Sequence, residues 1–408
     1  MIRVYQYKLY PNQTQIKAMS GWMGTCCWLY NRALEHRIKA WKRRGESVSL
    51  YDQSNLLTQQ RGRIESLRII PVEFERDALR RADRGMKAFF RRCKAGEKPG
   101  FPRFRSVRRY SSLEFLAVGV YLNGNRIRVP KLGTVRCRGR LLPEGTQKAL
   151  RVIRRASGWY AQIILDDGKQ PPITKPIESA IGIDVGLTHF ATLSTGDQIE
   201  NPRFLETSQY RLSAFHRRVS RRIKGSIRRH KAVNSLRRQH ERIADQRKYF
   251  CHQHSTALVR QFDLIAVEKL NVSGMSRSRF GKSILDAAWG MFFAQLVVKA
   301  AYAGRQVVAV NPRGTSQECP DCGRLMSKKL SERTHSCECG LTCHRDHASA
   351  RVILARAVVA TAATRPWTEP ASDSARVAHC QVGRMKRVDR SKSLPLTACA
   401  QSVGDSPV

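Results

Sequence analysis

The sequence predicts a multidomain chain of mixed α/β and β class, and three observations carry that expectation. Short alternating runs open the chain and fill 112–166. Apolar and aromatic residues recur at helical spacing through 13–46 and 72–92. Two near-continuous apolar runs, Ile181-Gly182-Ile183 and Leu264-Ile265-Ala266-Val267, have the composition of strands buried on both faces, and each ends on a carboxylate. At 408 residues the chain is long enough for two or three domains with a substantial core.

Residues 2–10 alternate like a strand that Pro11-Asn12 ends. Helices follow: Met19, Trp22, Met23, Trp28, Leu29, Leu34 and Ile38 make one stripe, and Phe74, Leu79, Met86, Phe89 and Phe90 make a second. Such spacing marks a buried face before it marks a base-stacking surface. Gly96, Pro99, Gly100 and Pro102 then break the helical pattern, and 112–166 returns to short strands with turns at Asn123-Gly124, Leu132-Gly133 and Ser157-Gly158, the pattern of a small β-barrel. Residues 167–178 form a linker containing Pro and Lys, and 205–260 is helical. Residues 366–408 mix Pro, Ser, Asp and Arg without periodicity, as a mobile tail would.

Charge narrows the class of partner. Seventy-four Lys and Arg against 32 Asp and Glu give a net +42, far beyond what solubility requires, so a polyanion is the natural ligand. The basic residues run along the whole chain, which suits a protein wrapped around a large nucleic acid. They crowd most between 217 and 238, where Arg217, Arg218, Arg221, Arg222, Arg228, Arg229, Arg237 and Arg238 have only Glu241 and Asp245 nearby to offset them. A solvated helix face normally carries compensating acids, so phosphate contact is the favoured role. No membrane span is expected. The absence of a secretory signal, with cysteines that read as reduced thiols, implies a cytoplasmic protein.

Three carboxylates, Asp184, Glu268 and Asp346, stand far apart in sequence, and only the fold can bring them together. Hard oxygen donors of this kind suit two Mg²⁺ ions roughly 4 Å apart, which hydrolyse phosphodiesters by activating water on one side of phosphorus and stabilising the leaving oxygen on the other. Taken singly, Asp184 also reads as an acid in a turn, and Glu268 as the partner of Lys269 or a nearby arginine. Cys319-Pro320-Asp321-Cys322 and Cys337-Glu338-Cys339 supply four thiolates for one structural Zn²⁺. The second pair is one residue closer than usual, so Cys343, His335 and His344 are substitutes if Cys337 and Cys339 cannot both reach the metal. Disulfides are the alternative.

Several segments resemble the TnpB family of transposon-associated RNA-guided nucleases, and through it the miniature type V CRISPR effectors. They are Met86-Lys87-Ala88-Phe89-Phe90-Arg91-Arg92, Gly100-Phe101-Pro102-Arg103-Phe104, Ala287-Ala288-Trp289-Gly290 and Thr315-Ser316-Gln317-Glu318-Cys319. The resemblance covers about 1–360 and implies an RNase H-like RuvC nuclease domain with an inserted zinc ribbon, together with an N-terminal wedge β-barrel that holds an inserted helical recognition domain. On that plan 1–12 is the first wedge strand, 13–96 the recognition domain and 97–176 the wedge barrel. RuvC occupies 177–313 and 345–365, the zinc-bearing target-loading module 314–344, and the tail 366–408. Asp184, Glu268 and Asp346 match the family's catalytic positions. The implied activity is RNA-guided DNA cleavage beside a short flanking motif at one RuvC site. Its partners would be a guide RNA and a DNA target in double- and single-stranded form, and its oligomeric state most simply a monomer. A guided DNA-binding protein that no longer cuts and a guide-independent junction nuclease of the same fold are the alternatives. Ala348 and Val352 stand where the family usually has asparagine.

Overall fold

The computed structural model describes residues 1–363 apart from 117–120, 171, 174–175 and 329–331, so the tail expected over 366–408 lies outside the described residues. The N-terminal half runs β1 (Ile2–Tyr10), α1 (Gln13–Arg44), α2 (Leu50–Arg63), α3 (Glu65–Arg68), α4 (Val72–Lys94), β2 (Ser112–Phe115), β3 (Leu122–Asn123), β4 (Arg126–Val129), β5 (Gly133–Arg138), β6 (Thr146–Arg155) and β7 (Gly158–Asp166). The C-terminal half runs β8 (Ala180–Val185), β9 (His189–Leu193), β10 (Gln198–Glu200), α5 (Phe204–Thr207), α6 (Gln209–Ser220), α7 (Ile227–Gln261), β11 (Leu264–Glu268), α8 (Val272–Met275), α9 (Gly281–Ala287), α10 (Trp289–Ala303), β12 (Gln306–Val310), β13 (Thr334–Ser336), β14 (Thr342–His344) and α11 (Arg345–Ala363).

The first half is one antiparallel sheet of seven strands in the order β2-β6-β7-β1-β5-β4-β3, with α1–α4 inserted after its first strand in sequence. The sheet curls. The Gln147 side chain on β6 accepts the backbone N–H groups of Tyr121 and Leu122 at 2.8 and 3.2 Å, drawing the β3 end of the strand order round to the β2–β6 end. Helix α1 starts where Asn12 and Gln15 cap one another reciprocally, at 2.8 and 3.1 Å, and stops at Gly45 in the left-handed region (φ +65°). Its Met19, Trp22, Met23 and Leu29 join Phe74 and Leu79 of α4 in one core with the sheet. Two stripe residues correct the sequence reading: Trp28 and Phe90 are 47% exposed, on the outward side of their helices.

The second half is a five-stranded sheet, β10-β9-β8-β11-β12, in which β11 lies parallel to both β8 and β12. Its two faces differ. Ile181, Ile183, Ile265 and Val267 pack with Phe292 and Leu296 of α10 and Leu258 of α7, while Ala266 and Val310 pack with Ile353 and Ala357 of α11. Gly281–Ala303 is long and apolar enough to cross a membrane. Ala288 breaks it at φ +60°, and Trp289, Phe292, Leu296 and Ala300 are buried in this core, so it is a packing helix of the sheet. The basic stretch expected as one helix is two, because α6 ends at Ser220 and α7 starts at Ile227 behind a Ser226 cap.

Candidate metal centres

Strand periodicity decides which way the carboxylates face. On β8 the residues Ile181 and Ile183 point to the α7–α10 face, so Gly182 and Asp184 take the opposite one; on β11 the same alternation puts Ala266 and Glu268 there. Register then aligns them, since Val267 pairs with Ile183 and the next residue on each parallel strand is an acid. The third acid arrives on α11. A Cβ at Gly182 would stand 2.0 Å from the Ala350 carbonyl oxygen and 2.9 Å from Leu354 Cβ, so only glycine lets this helix lie directly on the strand. Asp346 is one turn earlier on α11, in its first turn, and His347 Nε2 donates to the Ser194 carbonyl at 3.1 Å, pinning the helix start to the loop after β9.

Electrostatics couple Asp184 to the other two acids. Burial, then the charges of Glu268 and Asp346, push the Asp184 carboxyl up to about 8. Burial also raises Glu268, opposed by the Thr315 hydroxyl, 2.6 Å from Glu268 Oε1, and by the charge of Arg356. Glu268 therefore has neither Lys269 nor an arginine as an ion-pair partner among the described residues; its direct partner is a hydroxyl. Asp346 Oδ1 receives Arg345 Nε at 3.3 Å, and His344 Nδ1 lies 3.9 Å from Asp346 Oδ2. Like charges gathered in a half-dry site favour proton uptake or a divalent cation, and an all-oxygen donor set fits Mg²⁺.

The thiols converge more tightly. Sγ atoms of Cys319, Cys322, Cys337 and Cys339 lie within 4.8 Å of one another, with Cys319 to Cys339 at 3.6 Å and Cys322 to Cys337 at 3.5 Å. Those separations are much too long for S–S bonds and close to the ~3.8 Å edge of a tetrahedron with 2.3 Å Zn–S bonds. The shortened second pair reaches because Gly340 (φ +92°) turns the chain directly after Cys339. The substitutes are not called on. His335 is fully buried, with Nδ1 in contact with Lys328 and no hydrogen-bond partner on Nε2 among the described residues, whereas Cys343 of β14 lies opposite His335 of β13 and His344 lies beside Asp346. Burial works to raise Cys319, yet backbone N–H groups of Cys322 and Asp321 bring it down to about 6, which favours the thiolate a metal needs.

The arginines divide by surroundings. Arg217, Arg218, Arg221, Arg222, Arg228 and Arg237 are exposed along α6, the following turn and α7. Arg229 instead donates to the Val219 and Arg222 carbonyls at 2.9 and 3.0 Å, closing that turn. Arg238 Nε donates to the Ala156 carbonyl at 3.1 Å, and Glu241 accepts the N–H and hydroxyl of Ser157, so α7 grips the β6–β7 turn. Between these parts lies a cavity of about 800 Å³ lined by Arg108, Arg154, Lys224, Arg229, His230 and Arg237. Arg108 and Arg154 were not singled out from sequence; the doublets Arg108-Arg109 and Arg154-Arg155 were the available signal.

Family profiles cover much of the chain. The OrfB_IS605 profile, described as a probable transposase, matches 164–279; the TNB domain of Cas12f1-like proteins matches 289–353; and a helix-turn-helix profile of the OrfB_IS605 group matches 1–46, where this structure has β1 and the single helix α1. A Streptomyces pristinaespiralis protein provisionally named an RNA-guided DNA endonuclease is 32% identical over 375 residues, 88% of this chain and 90% of its own. Escherichia coli K12 InsQ, provisionally named likewise, is 29% identical over 87% of this chain and 92% of its own. A Cas12f1 bound to single-guide RNA and target DNA shares the fold, with a TM-score of 0.55 at 13% identity over 84% of this chain and 83% of its own.

Proposed function

Because this chain belongs to the TnpB family of RNA-guided DNA endonucleases, we propose that it cuts DNA under the direction of a bound RNA, beside a short flanking motif, at a single Mg²⁺-dependent RuvC site formed by Asp184, Glu268 and Asp346. The observation that supports the nuclease reading is the placement of three sequence-distant carboxylates toward one face of the sheet, two of them at the ends of adjacent parallel strands and the third on the helix packed there, with the charges of Glu268 and Asp346 helping to lift Asp184 to about 8. Asp184, Glu268 and Asp346 would hold divalent cations there, and two Mg²⁺ ions would supply an activated water and charge stabilisation of the leaving oxygen. The protein's own groups do the rest: Gly182 admits α11, Arg345 steadies Asp346, and Thr315 fixes one oxygen of Glu268.

Sequence specificity belongs to base pairing between guide and target strand, and the protein contributes charge and shape. The exposed arginines of α6 and α7 and the cavity beside them are assigned to phosphate contact, with Cys319, Cys322, Cys337 and Cys339 holding one Zn²⁺ in a target-loading module over 314–344. The domain divisions expected from the resemblance are adopted as part of this reading, and the reduced thiols fit a cytoplasmic setting.

The test pairs cleavage with binding. Asp184→Ala and Glu268→Ala should each abolish Mg²⁺-dependent cutting and leave guided target binding in gel shifts as it was. Cutting at the wild-type rate by either variant would remove that residue from the site. Sequencing RNA that co-purifies with the chain separates the guided readings from a guide-independent junction nuclease, and cleavage separates the first from a guided protein that only binds.

A further inference from the structure

One short segment joins the two metal centres. Thr315 is 4% exposed, and its hydroxyl lies 2.6 Å from Glu268 Oε1 and 3.0 Å from the Pro312 carbonyl, so its proton stays within this pair of acceptors. The Gly314 carbonyl accepts the N–H groups of Gln317 and Glu318 at 2.9 and 3.0 Å, winding 314–318 into a turn that ends on Cys319. Glu318 is bound in turn by Arg356 of α11. That guanidinium contacts the Glu318 carboxylate through Nε and Nη2 and donates from Nη1 to the Asn311 and Arg313 carbonyls, both at 2.9 Å, and its charge also acts on Glu268.

A glutamate at a strand end has side-chain torsions that a single backbone position cannot fix. Burial makes a wandering carboxylate costly, and one strong hydroxyl donor is enough to select an orientation. Here the donor sits four residues before a thiolate of the zinc cluster, on a turn whose far end is fastened to α11 by a five-donor guanidinium. We propose that Thr315 and Arg356 are positioning residues through which the zinc-clamped segment orients Glu268 for divalent-cation binding, so the zinc module helps set the carboxylate centre. The inference rests on the reading of Asp184, Glu268 and Asp346 as the cation site.

Thr315→Val keeps the shape and removes the hydroxyl, and Thr315→Ser restores it. In the guide-loaded protein, Thr315→Val should raise the Mg²⁺ concentration needed for half-maximal cleavage, or lower the saturating rate, by about 10- to 100-fold, the usual effect of losing an outer partner of a metal ligand. Target binding and zinc content should stay at wild-type levels, and Thr315→Ser should recover to within a few-fold. Arg356→Gln should follow the same pattern as Thr315→Val. A second readout needs no turnover: Mn²⁺ binding to the RNA-free protein, followed by paramagnetic resonance, should lose its tight site in Thr315→Val and keep it in Thr315→Ser. Wild-type metal dependence in Thr315→Val, or a loss that comes with lost zinc or lost target binding, overturns the proposal. Should Asp184→Ala bind Mn²⁺ and cut like wild type, the carboxylate reading itself falls, an outcome distinct from a failure at Thr315 alone.

Discussion

Asp184 shows how a residue placed where a cation site is proposed can cost stability. Its ordinary value is 3.8, and burial followed by the neighbouring acids lifts it to about 8, so the folded, metal-free protein holds a proton that the unfolded chain has released. Stability from that proton is complete below about 3.8 and is lost as pH rises through about 8. Asp184→Asn should therefore stabilise the protein in Mg²⁺-free buffer by an amount that grows between pH 4 and 8 and reaches at most about 6 kcal/mol. Thermal unfolding of both proteins at pH 5 and pH 8 checks this, and an equal difference at the two values would show that Asp184 ionises freely. The two departures from the family's asparagines read differently at this scale. Ala348 and Val352 are buried on α11, 2% and 1% exposed, where an unpaired amide would be costly and a small apolar group packs.

At the scale of the element, α11 and the thiol turns carry the design. Gly182→Ala places a methyl group against the backbone of Ala350, which cannot move without the helix. Overpacking of this kind costs about 1–3 kcal/mol, and lifting α11 also displaces Asp346, so the variant should show a lower denaturant midpoint together with a loss of cleavage larger than its loss of target binding. Equal losses in both would mean that it merely unfolds. The zinc turns give a second expectation. Cys322→Ser leaves three thiolates, and because metal binding here is part of the folding free energy, the variant should lose one equivalent of zinc and loosen 314–344. Metal analysis of protein purified without chelator decides it; a wild type that carries no zinc would refute the four-thiolate assignment.

Across the whole molecule the dominant quantity is the net charge of +42. Exposed Arg221, Arg222 and Arg228 face solvent, whereas Arg229 spends its guanidinium on the turn between α6 and α7. Replacing the first three by Gln should flatten the plot of log affinity against log salt by up to about 0.9 per lost duplex contact, or nearer 0.7 on a single strand, with the same preference for matched over mismatched targets. Binding measured at several salt concentrations tests this; an unchanged slope would place these arginines away from the nucleic acid. Arg229→Gln is a different experiment, since it should loosen the α6–α7 turn and lower stability as well.

The sequence by itself determined the class of the fold and the basic character of 217–238, and it offered the four thiols and the three acids as candidates. Each of these is local: alternation, helical spacing, short Cys pairs and uncompensated charge are all readable within a window of a few residues. Tertiary structure decided what depends on two windows meeting. It turned Trp28 and Phe90 outward, broke the basic stretch at 221–226, and made Arg229 and Arg238 structural donors. It also gave Glu268 a hydroxyl partner 47 residues away and showed why Gly182, two residues before an acid, has to be glycine. No pattern in the chain marks such pairs, because burial and register belong to the packed sheet and its helices, and a side chain's partner is set by whichever surface the fold lays against it.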